Sequence, residues 1–451
     1  MFASARTTAA IAAIATASFA YATPSAPGAP RLALAPQSGL PIERAIVRIY
    51  ETGSLHRVWL SLDFPTARAQ ALTVANAPAD SPLHELDGLV VAVKDNIDTN
   101  WLPTTAGARV LRGRRPDRNA TAVDRVLAAG GIIPGKTNTD TFARGVRTVS
   151  EIGGQTRNAI DPTRSPGGSS GGTAVAIALQ QSDLGIGTDT CGSLRYPAAY
   201  NGIYGLRPTP GLVSRSGIVP LSATHDVVGP MARTPHDLAR LLDIIAGPDE
   251  HDPLTLSAPR QRGSYAELAS DTTRSSTPLR LGVLHDRGSF MKTADGRSSL
   301  TLLSESGFQL IEVDLPSLGL PNVINEEFAV LKPRILSGTL SEDSWIGGMA
   351  FPQRAYQAKR AQMKADAKQL VRFLDANQLD AIVYPTTPFP AASIGRPQSS
   401  ANCSLSASTG LPAMALPHPT PPIPGVDVLA RPFAERILFE VAVRYSKANS
   451  R

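Results

Sequence analysis

The feature that most constrains this sequence is a glycine- and serine-rich stretch from Pro166 to Arg195. Glycine flanks the serines at Ser169–Ser170 and at Ser193. Between them lie a small-residue segment, 173–179, which is typical of a buried helix, and an apolar strand, 184–188. Because glycine has no Cβ, such a stretch allows unusual backbone angles and lets a reacting group approach closely. Runs of glycine and serine also form plain turns, so the rest of the chain must decide between the two interpretations.

Composition indicates a globular protein with a large core. Of the 451 residues, 42% are hydrophobic and 18% are charged. The length alone suggests about three domains, but large α/β enzymes often form one. The net charge of +6 is spread along the chain, and one arginine cluster, 109–118, contains no aromatic residues. We therefore expect a solvated loop there and no nucleic-acid binding.

The N-terminus has the pattern of an export signal. Residues 1–22 carry Arg6, an apolar run over 8–20 and the small-residue site Ala20-Tyr21-Ala22. This pattern predicts a secretory signal peptide cleaved after Ala22, and the run is too short to span a bilayer comfortably. We therefore predict a periplasmic or secreted protein with a Pro/Ala-rich leader over 23–42, a main domain over 43–451 and no membrane span.

Cys191 and Cys403 are the two cysteines of the sequence. A disulfide is compatible with export, but nothing in the sequence brings these positions together. We therefore predict two free thiols.

Apolar periodicity predicts an alternation of strands and helices. Strands are expected at 89–93, 184–188, 279–284, 309–313, 379–384 and 412–416, and helices at 120–129, 173–179, 237–246, 300–305, 354–374 and 434–445. One or two helices are expected within 41–68, and a polar connector over 251–278. Residues 316–351 show no clear period and are interpreted as a loop or lid over a pocket.

Two segments match the sequence patterns of known functional sites but lack the flanking secondary structure that those sites require. Residues 130–137 match the phosphate-loop pattern GxxxxGK[ST], but a helix precedes the first glycine and strand-forming isoleucines lie inside the supposed loop. The mechanism of that loop requires a preceding strand and a following helix, so we expect no nucleotide binding. Residues 167–171 fit GxSxG, but the polar, proline-broken approach at 158–166 lacks the strand of a nucleophile elbow.

Lys94 is the best candidate for a catalytic base. The seven histidines are scattered, and their spacing suggests neither a triad nor a metal site. Lys94 directly follows the apolar run LVVAV, so it either ends a strand at the surface or is buried. Burial can move the pKa of a lysine from ~10.4 to near 7, which requires roughly 4 kcal/mol.

Together these residues resemble the amidase signature family. The resemblance rests on Lys94 after LVVAV, on GGSSGG at 167–172 and on GTDTCGSLRYPAA at 187–199, in which Ser193 follows Ser169 by 24 residues. It extends over about 88–247 and recurs at 380–390, 409–417 and 431–435. Residues 250–375 are less typical and are expected to cover the substrate.

The resemblance implies a Ser–cis-Ser–Lys triad. Ser193 would be the nucleophile, Ser169 the bridging serine after a cis peptide with Gly168, and Lys94 the base. The backbone N–H groups of Thr190, Cys191, Gly192 and Ser193 would form the oxyanion hole. Ser170, Asp189 and Arg195 would support the site. Cys191 departs from the glycine common at this family position, which puts a side chain into the loop.

The predicted fold is a single large α/β domain with a mixed, mostly parallel sheet surrounded by helices. The predicted activity is that of an exported amidase that uses an acyl-enzyme, no cofactor and no metal, and that acts on a small-molecule amide or carbamate. Alternatives are a carbamate (urethane) or ester hydrolase with the same triad and an inactive binding protein. Export argues against the tRNA-amidotransferase members of the family, whose partners are cytosolic.

Overall fold

The computed structural model describes residues 40–77, 84–259, 263–270, 278–284, 292–338, 353–398, 400 and 402–449. The predicted signal peptide, the leader as far as residue 39, His285 and part of the predicted lid, 339–351, lie outside the described residues.

Helices and strands alternate along most of the described chain. The helices are α1 Pro41–His56, α2 Phe64–Ala75, α3 Thr121–Ala128, α4 Gly171–Ala178, α5 Arg195–Tyr200, α6 Pro235–Ile245, α7 Pro253–Leu256, α8 Tyr265–Ser270, α9 Ala294–Glu305, α10 Ile324–Ser337, α11 Arg354–Ala376, α12 Ser404–Thr409 and α13 Glu435–Asn449. The strands are β1 Trp59–Leu62, β2 Val91–Lys94, β3 Gly135–Thr137, β4 Val149–Ser150, β5 Gly154–Gln155, β6 Leu184–Asp189, β7 Tyr204–Arg207, β8 Val227–Ala232, β9 Arg280–Val283, β10 Gln309–Glu312, β11 Ala381–Pro385, β12 Ala413–Leu416 and β13 Val426–Ala430. Short 3₁₀ turns lie at Arg109–Leu111 and Thr141–Ala143.

One mixed sheet runs through the described residues. Its eleven strands have the order β1-β3-β2-β6-β8-β7-β12-β13-β11-β9-β10, and β4 pairs with β5 separately. Parallel pairs lie on both sides, β3-β2-β6 on one and β11-β9-β10 on the other. The strands between these groups pair antiparallel. Helices flank the sheet, and the described residues from Leu40 onward form one compact unit, which confirms the predicted single α/β domain.

Local sequence explains why the elements near the centre form where they do. Helix α4 is built from Gly, Thr, Ala, Val and Ile. Its residues Gly171 to Ile177 are buried, and it packs against the neighbouring strands β2 and β6. Its small side chains allow this close packing. Helix α6 begins at Thr234, whose side chain accepts from the N–H of Asp237, an N-cap arrangement. One face of α6 is buried by leucines and an isoleucine at helical spacing, Leu238, Leu241, Leu242 and Ile245.

Most predicted strands and helices are confirmed to within a few residues. The central strands β7, β8 and β13 were not predicted, and three further segments differ. The 41–68 region contains strand β1 between its helices, and it pairs with β3 at one edge of the sheet. The predicted polar connector 251–278 contains the short helices α7 and α8. The predicted lid 316–351 contains helix α10, which continues through Pro333. Phe328, Leu331 and Ile335 of this helix pack against the segments 106–111 and 219–221. The apolar periodicity of the sequence did not predict this contact.

In the part of the chain that the structure describes, no helix combines the length and the apolar character that a membrane crossing requires.

Candidate active site

Strand β2 carries Lys94 into the interior of the sheet. It pairs in parallel with β3 and β6, and all four of its residues, Val91 to Lys94, are buried. Strands covered on both sides are continuously apolar, which is why LVVAV precedes this lysine. The alternative of a surface lysine at a strand end is therefore excluded.

The Lys94 amine lies among hydroxyl groups. Its Nζ donates to Ser169 Oγ at 2.7 Å and to Thr188 Oγ1 at 2.7 Å. Burial lowers the pKa of Lys94 to about 7, while the negative charges of Asp140, Asp226 and Asp189 raise it. Near neutral pH the amine is therefore divided between its charged and uncharged forms.

Ser169 is held in a loop that has room only for glycine beside it. The Gly168–Ser169 peptide is cis, as the resemblance implied. A Cβ on Gly168 would lie 2.4 Å from Asp140 Oδ2 and 2.6 Å from the backbone N of Arg147. Asp140 in turn accepts from the N–H groups of Arg147 and Thr148, at 3.0 and 2.8 Å. The segment 140–148 packs so closely against the serine loop that position 168 has no space for a side chain.

Ser193 lies against the first serine loop. The N–H of Ser170 donates to the carbonyl of Ser193 at 3.1 Å. The Ser170 hydroxyl donates to the carbonyl of Thr188 at 3.1 Å. Among the described residues, Ser193 Oγ has no hydrogen-bond partner, and no hydrogen bond joins it to Ser169 Oγ. The structure thus joins Lys94 to Ser169 directly, and it brings Ser193 to them through the backbone of Ser170.

The predicted oxyanion loop, 190–193, contains one amide that is already engaged. The N–H of Gly192 donates to Asp189 Oδ1 at 2.7 Å, so the structure gives this amide a different role from the predicted one. Gly192 instead provides a positive φ of 88°. No described residue accepts from the N–H groups of Thr190, Cys191 or Ser193, which leaves these three predicted donors available. Cys191 is not among the residues with positive φ, so its side chain causes no backbone strain.

A buried network of charges holds this loop. Asp189 pairs with Arg195 Nε at 3.2 Å and with Arg207 Nη1 at 3.2 Å, and Arg195 also pairs with Asp427. Burial alone would raise the pKa of Asp189, but the two guanidinium groups lower it to about 2. Asp189 is therefore a permanent anion at the base of the loop. The predicted supporting residues Asp189 and Arg195 do contact each other, and Arg207 and Asp427 complete the network.

The prediction of two free thiols is wrong. Cys191 and Cys403 form a disulfide with a Cα–Cα distance of 5.0 Å, across 212 residues of sequence. The bond connects the predicted oxyanion loop to the residue that precedes α12. Sequence reasoning missed it because the two segments meet only through the folding of the sheet.

Four residues near the site were not singled out from the sequence: Thr188, Asp140, Arg207 and Asp226. Thr188 lies within the quoted motif, one residue before Asp189, so its position on the same strand was available as a signal. Asp140 lies in the sequence KTNTD that follows Gly135, which the false phosphate-loop match concealed. Arg207 and Asp226 had no local signal, because their partners come from distant segments.

The false motifs have other structural roles. Gly135–Thr137 forms strand β3, and the amine of Lys136 donates to Thr104 Oγ1 at 2.8 Å inside the core.

His225 is buried, with one ring nitrogen at 3.0 Å from the carbonyl of Ala407 and the other at 3.3 Å from the N–H of Val323. Burial lowers the pKa of His225 to about 4, so it is neutral and engaged elsewhere. In the described residues, no cluster of His, Cys, Asp and Glu is suited to a metal ion.

Fold and site together define the class: an α/β protein with a buried lysine hydrogen-bonded to a serine in a glycine-rich loop. A sequence profile of the Amidase family matches residues 41–334. The chain therefore belongs to the Amidase family, the amidase signature enzymes that act on carbon–nitrogen bonds.

Relatives and solved structures agree with this membership. The chain is 35% identical over 430 residues to a subunit of glutamyl-tRNA(Gln) amidotransferase from Thermus thermophilus, covering 83% of this chain and 88% of that protein. It is 46% identical over 248 residues to the protein of the same name from Halobacterium salinarum, and here the match spans only 54% of this chain and 57% of the relative. The crystal structure of native peptide amidase from Stenotrophomonas maltophilia is similar, with a TM-score of 0.76, 28% identity and coverage of 91% of this chain and 93% of that one.

Proposed function

We propose that this protein is an exported amidase that hydrolyses a carboxylic amide through an acyl-enzyme on Ser193. The observation that carries the proposal is the buried amine of Lys94, 2.7 Å from Ser169 Oγ, with a pKa lowered to about 7. A neutral lysine in this position performs the task of the histidine in other serine hydrolases.

The reaction begins with a proton relay. Lys94 Nζ accepts the proton of Ser169 Oγ while Ser169 Oγ accepts that of Ser193 Oγ. The Ser193 oxygen attacks the amide carbon, the C–O bond forms, and the carbonyl electron pair moves to the oxygen. Collapse of this intermediate breaks the C–N bond, and the relay returns the proton to the leaving amine. Water then attacks the acyl ester along the same proton route and releases the carboxylic acid.

Charge on the intermediate is stabilised by backbone donors. The N–H groups of Thr190, Cys191 and Ser193 are the predicted donors that no described residue engages. Removing one oxyanion donor typically costs about 10²- to 10³-fold in kcat. Asp189 acts indirectly, because its hydrogen bond to Gly192 N–H fixes the curvature of the loop.

Export and a small-molecule substrate belong to the same proposal. The Cys191–Cys403 disulfide is compatible with an oxidising compartment, and the N-terminal sequence has the composition of a signal peptide. The amidotransferase relatives are named as subunits; in contrast, we propose a hydrolase that works without a tRNA-binding partner, without a cofactor and without a metal. N-terminal sequencing of the protein from a periplasmic fraction should begin at Thr23, and retention of the full-length chain in the cytosol would contradict export.

The central test is covalent labelling with a fluorophosphonate, which reacts with activated serines. The intact protein should be labelled at Ser193, whereas Ser193→Ala and Lys94→Met should not be labelled. Lys136→Met is the matched control, because Lys136 is equally buried and its pKa is lowered by burial to about 8, yet its amine contacts Thr104 and Asp95 instead of Ser169. Equal labelling of Ser193→Ala and the intact protein would refute the acyl-enzyme, and no labelling at all would favour an inactive binding protein.

The same triad also fits carbamates and esters, because their tetrahedral intermediates are alike. Turnover of an amide, an ester and a carbamate with identical acyl groups separates these alternatives. We expect the amide to be hydrolysed, and a carbamate preference would identify a urethanase. ATP binding that is lost in Lys136→Ala would support the phosphate-loop alternative, and we expect none.

A further inference from the structure

Asp226 is a buried carboxylate that the proposed proton relay does not use. Its Oδ1 accepts from Thr190 Oγ1 at 2.5 Å, and its Oδ2 accepts from the N–H groups of Leu221 and Ser222 at 2.8 and 2.9 Å. It forms no ion pair with any residue that the structure describes. A buried carboxylate without a paired cation is costly unless donors satisfy it, so these three hydrogen bonds are its main support.

The turn that holds Asp226 also contacts helix α10. Ser222 Oγ donates to Glu327 Oε2, and the N–H of Thr224 donates to the same oxygen at 3.0 Å. Tyr356 on α11 donates its hydroxyl to Glu327 Oε1 at 2.7 Å. A continuous chain of hydrogen bonds thus runs from the predicted oxyanion loop, through the turn 221–226, to the two helices α10 and α11.

We propose that Asp226 is a positioning residue that sets the orientation of the oxyanion loop through the side chain of Thr190. The inference rests on the proposed function, because it concerns the donors of that oxyanion hole.

The connections of the loop show why one side-chain hydrogen bond matters. Asp189 holds the C-terminal half of the loop through the N–H groups of Gly192 and Leu194, at 2.7 and 3.2 Å. In the N-terminal half, the disulfide to Cys403 holds Cys191, and the Thr190 hydroxyl is the hydrogen-bonded side-chain anchor, which ends on Asp226. The N–H groups of Thr190 and Cys191 lie in this half. If Thr190 turns, both donors turn with it, and a displacement of about 1 Å at a catalytic group can cost about 100-fold in rate.

The test measures inactivation by a fluorophosphonate at about pH 9, well above the pKa of Lys94, so that the lysine is uncharged in every variant and changes in its pKa do not contribute. The constant kinact reports formation of the bond to Ser193, and KI reports the binding that precedes it. Thr190→Val keeps the shape and removes the hydroxyl, and it should lower kinact about tenfold or more with KI within about twofold of the intact protein. Thr190→Ser restores the hydroxyl and should restore kinact. Asp226→Asn keeps an acceptor for the two backbone donors and should also lower kinact. The double variant should be no slower than the slower single variant, because both act through one hydrogen bond.

Asp249→Asn is the matched control. Asp249 is also largely buried, and it accepts from the hydroxyls of Thr121, at 2.6 Å, and Ser214 and from the N–H of His251 at 3.0 Å. It makes no hydrogen bond to the oxyanion loop among the described residues. This variant should keep the kinact of the intact protein, even where its thermal midpoint falls.

Three results would overturn the inference: an unchanged kinact in Thr190→Val, a change confined to KI, or effects of Thr190→Val and Asp226→Asn that multiply in the double variant. These results differ from failure of the proposed function, which is decided by the labelling of Ser193→Ala.

Discussion

In the proposed mechanism, Lys94 can act as a base only while its amine is uncharged. Because burial lowers its pKa to about 7, the active fraction should decrease as the pH falls below about 7. We expect kcat/KM, or the fluorophosphonate labelling rate, to be half-maximal near pH 7 and to fall about tenfold per pH unit below pH 6. A profile measured from pH 5 to 9 checks this, and a midpoint near pH 10 would show that the lysine is not desolvated in solution.

The carboxylates around Lys94 predict the direction in which this midpoint can be moved. Asp140, Asp226 and Asp189 all raise the pKa of Lys94 by favouring its charged form. Asp226→Asn removes one of these charges, so the pKa of the lysine should fall and the midpoint should move to lower pH. The pH profile of the variant, compared with that of the intact protein, measures the shift. A shift to higher pH would contradict the electrostatic assignment.

Gly192 has both a conformational and a steric requirement. Its φ is 88°, and an added Cβ would lie 2.5 Å from Tyr196 Cζ. Gly307 has nearly the same φ, 85°, with no neighbour within 4 Å of an added Cβ. Gly307→Ala should therefore lose about 1 kcal/mol of unfolding free energy and keep its activity, whereas Gly192→Ala should lose more stability and most of its activity. Thermal unfolding and labelling of both variants measure the difference, and equal behaviour would mean that Tyr196 moves aside.

For individual residues, the sequence predicted which side chains lie close together at the site better than it predicted their hydrogen-bond partners. Lys94, Ser169, Ser170 and Ser193 are brought together as the motifs suggested, and their catalytic roles stay predictions for the labelling experiments. The engaged amide of Gly192 was not foreseeable, because its acceptor depends on how the Asp189 carboxylate is oriented by two arginines.

Among the larger elements, the disulfide joins the predicted oxyanion loop to the segment before α12. Reduction should lower the unfolding free energy by about 2–5 kcal/mol. It should also lower activity, because Cys191 carries one of the proposed oxyanion donors. Thermal unfolding and labelling with and without a thiol reductant test this, and Cys191→Ser should be insensitive to the reductant. A reductant effect of the same size in Cys191→Ser would exclude the disulfide as its cause.

Elements with strong periodicity were predicted well, and those defined by contacts were not. Helix α6 and the buried strands β2 and β6 carry their signal in their own residues. Strand β1 is short, and it is a strand because it pairs with β3. Helix α10 has a mixed pattern because it buries Glu327 beside Phe328 and Leu331, and a polar residue on the inner face conceals the period.

Across the whole molecule, the buried charge network joins β6, α5, β7 and β13 near the middle of the sheet. Asp427→Ala would remove one of the two carboxylates that pair with the buried Arg195 guanidinium, and we expect a loss of about 3–5 kcal/mol in unfolding free energy. Asp375→Ala removes an exposed pair with Arg431, in which the Asp375 side chain is 61% exposed, and it should cost at most about 1 kcal/mol. Denaturant unfolding of the two variants tests the contrast, and similar losses would show that the network is already solvated in solution.

The sequence was sufficient to predict the α/β class, the family resemblance, and the lysine and serines that the structure brings together. These depend on local properties: strand-length apolar runs, glycines beside serines, and a lysine at the end of a buried strand. The disulfide between Cys191 and Cys403, the charge partners of Asp189 and the contact from Thr190 to Asp226 depended on the folded chain. Each joins segments that are distant in sequence, and no local pattern encodes which distant segments the strand order of the sheet brings into contact.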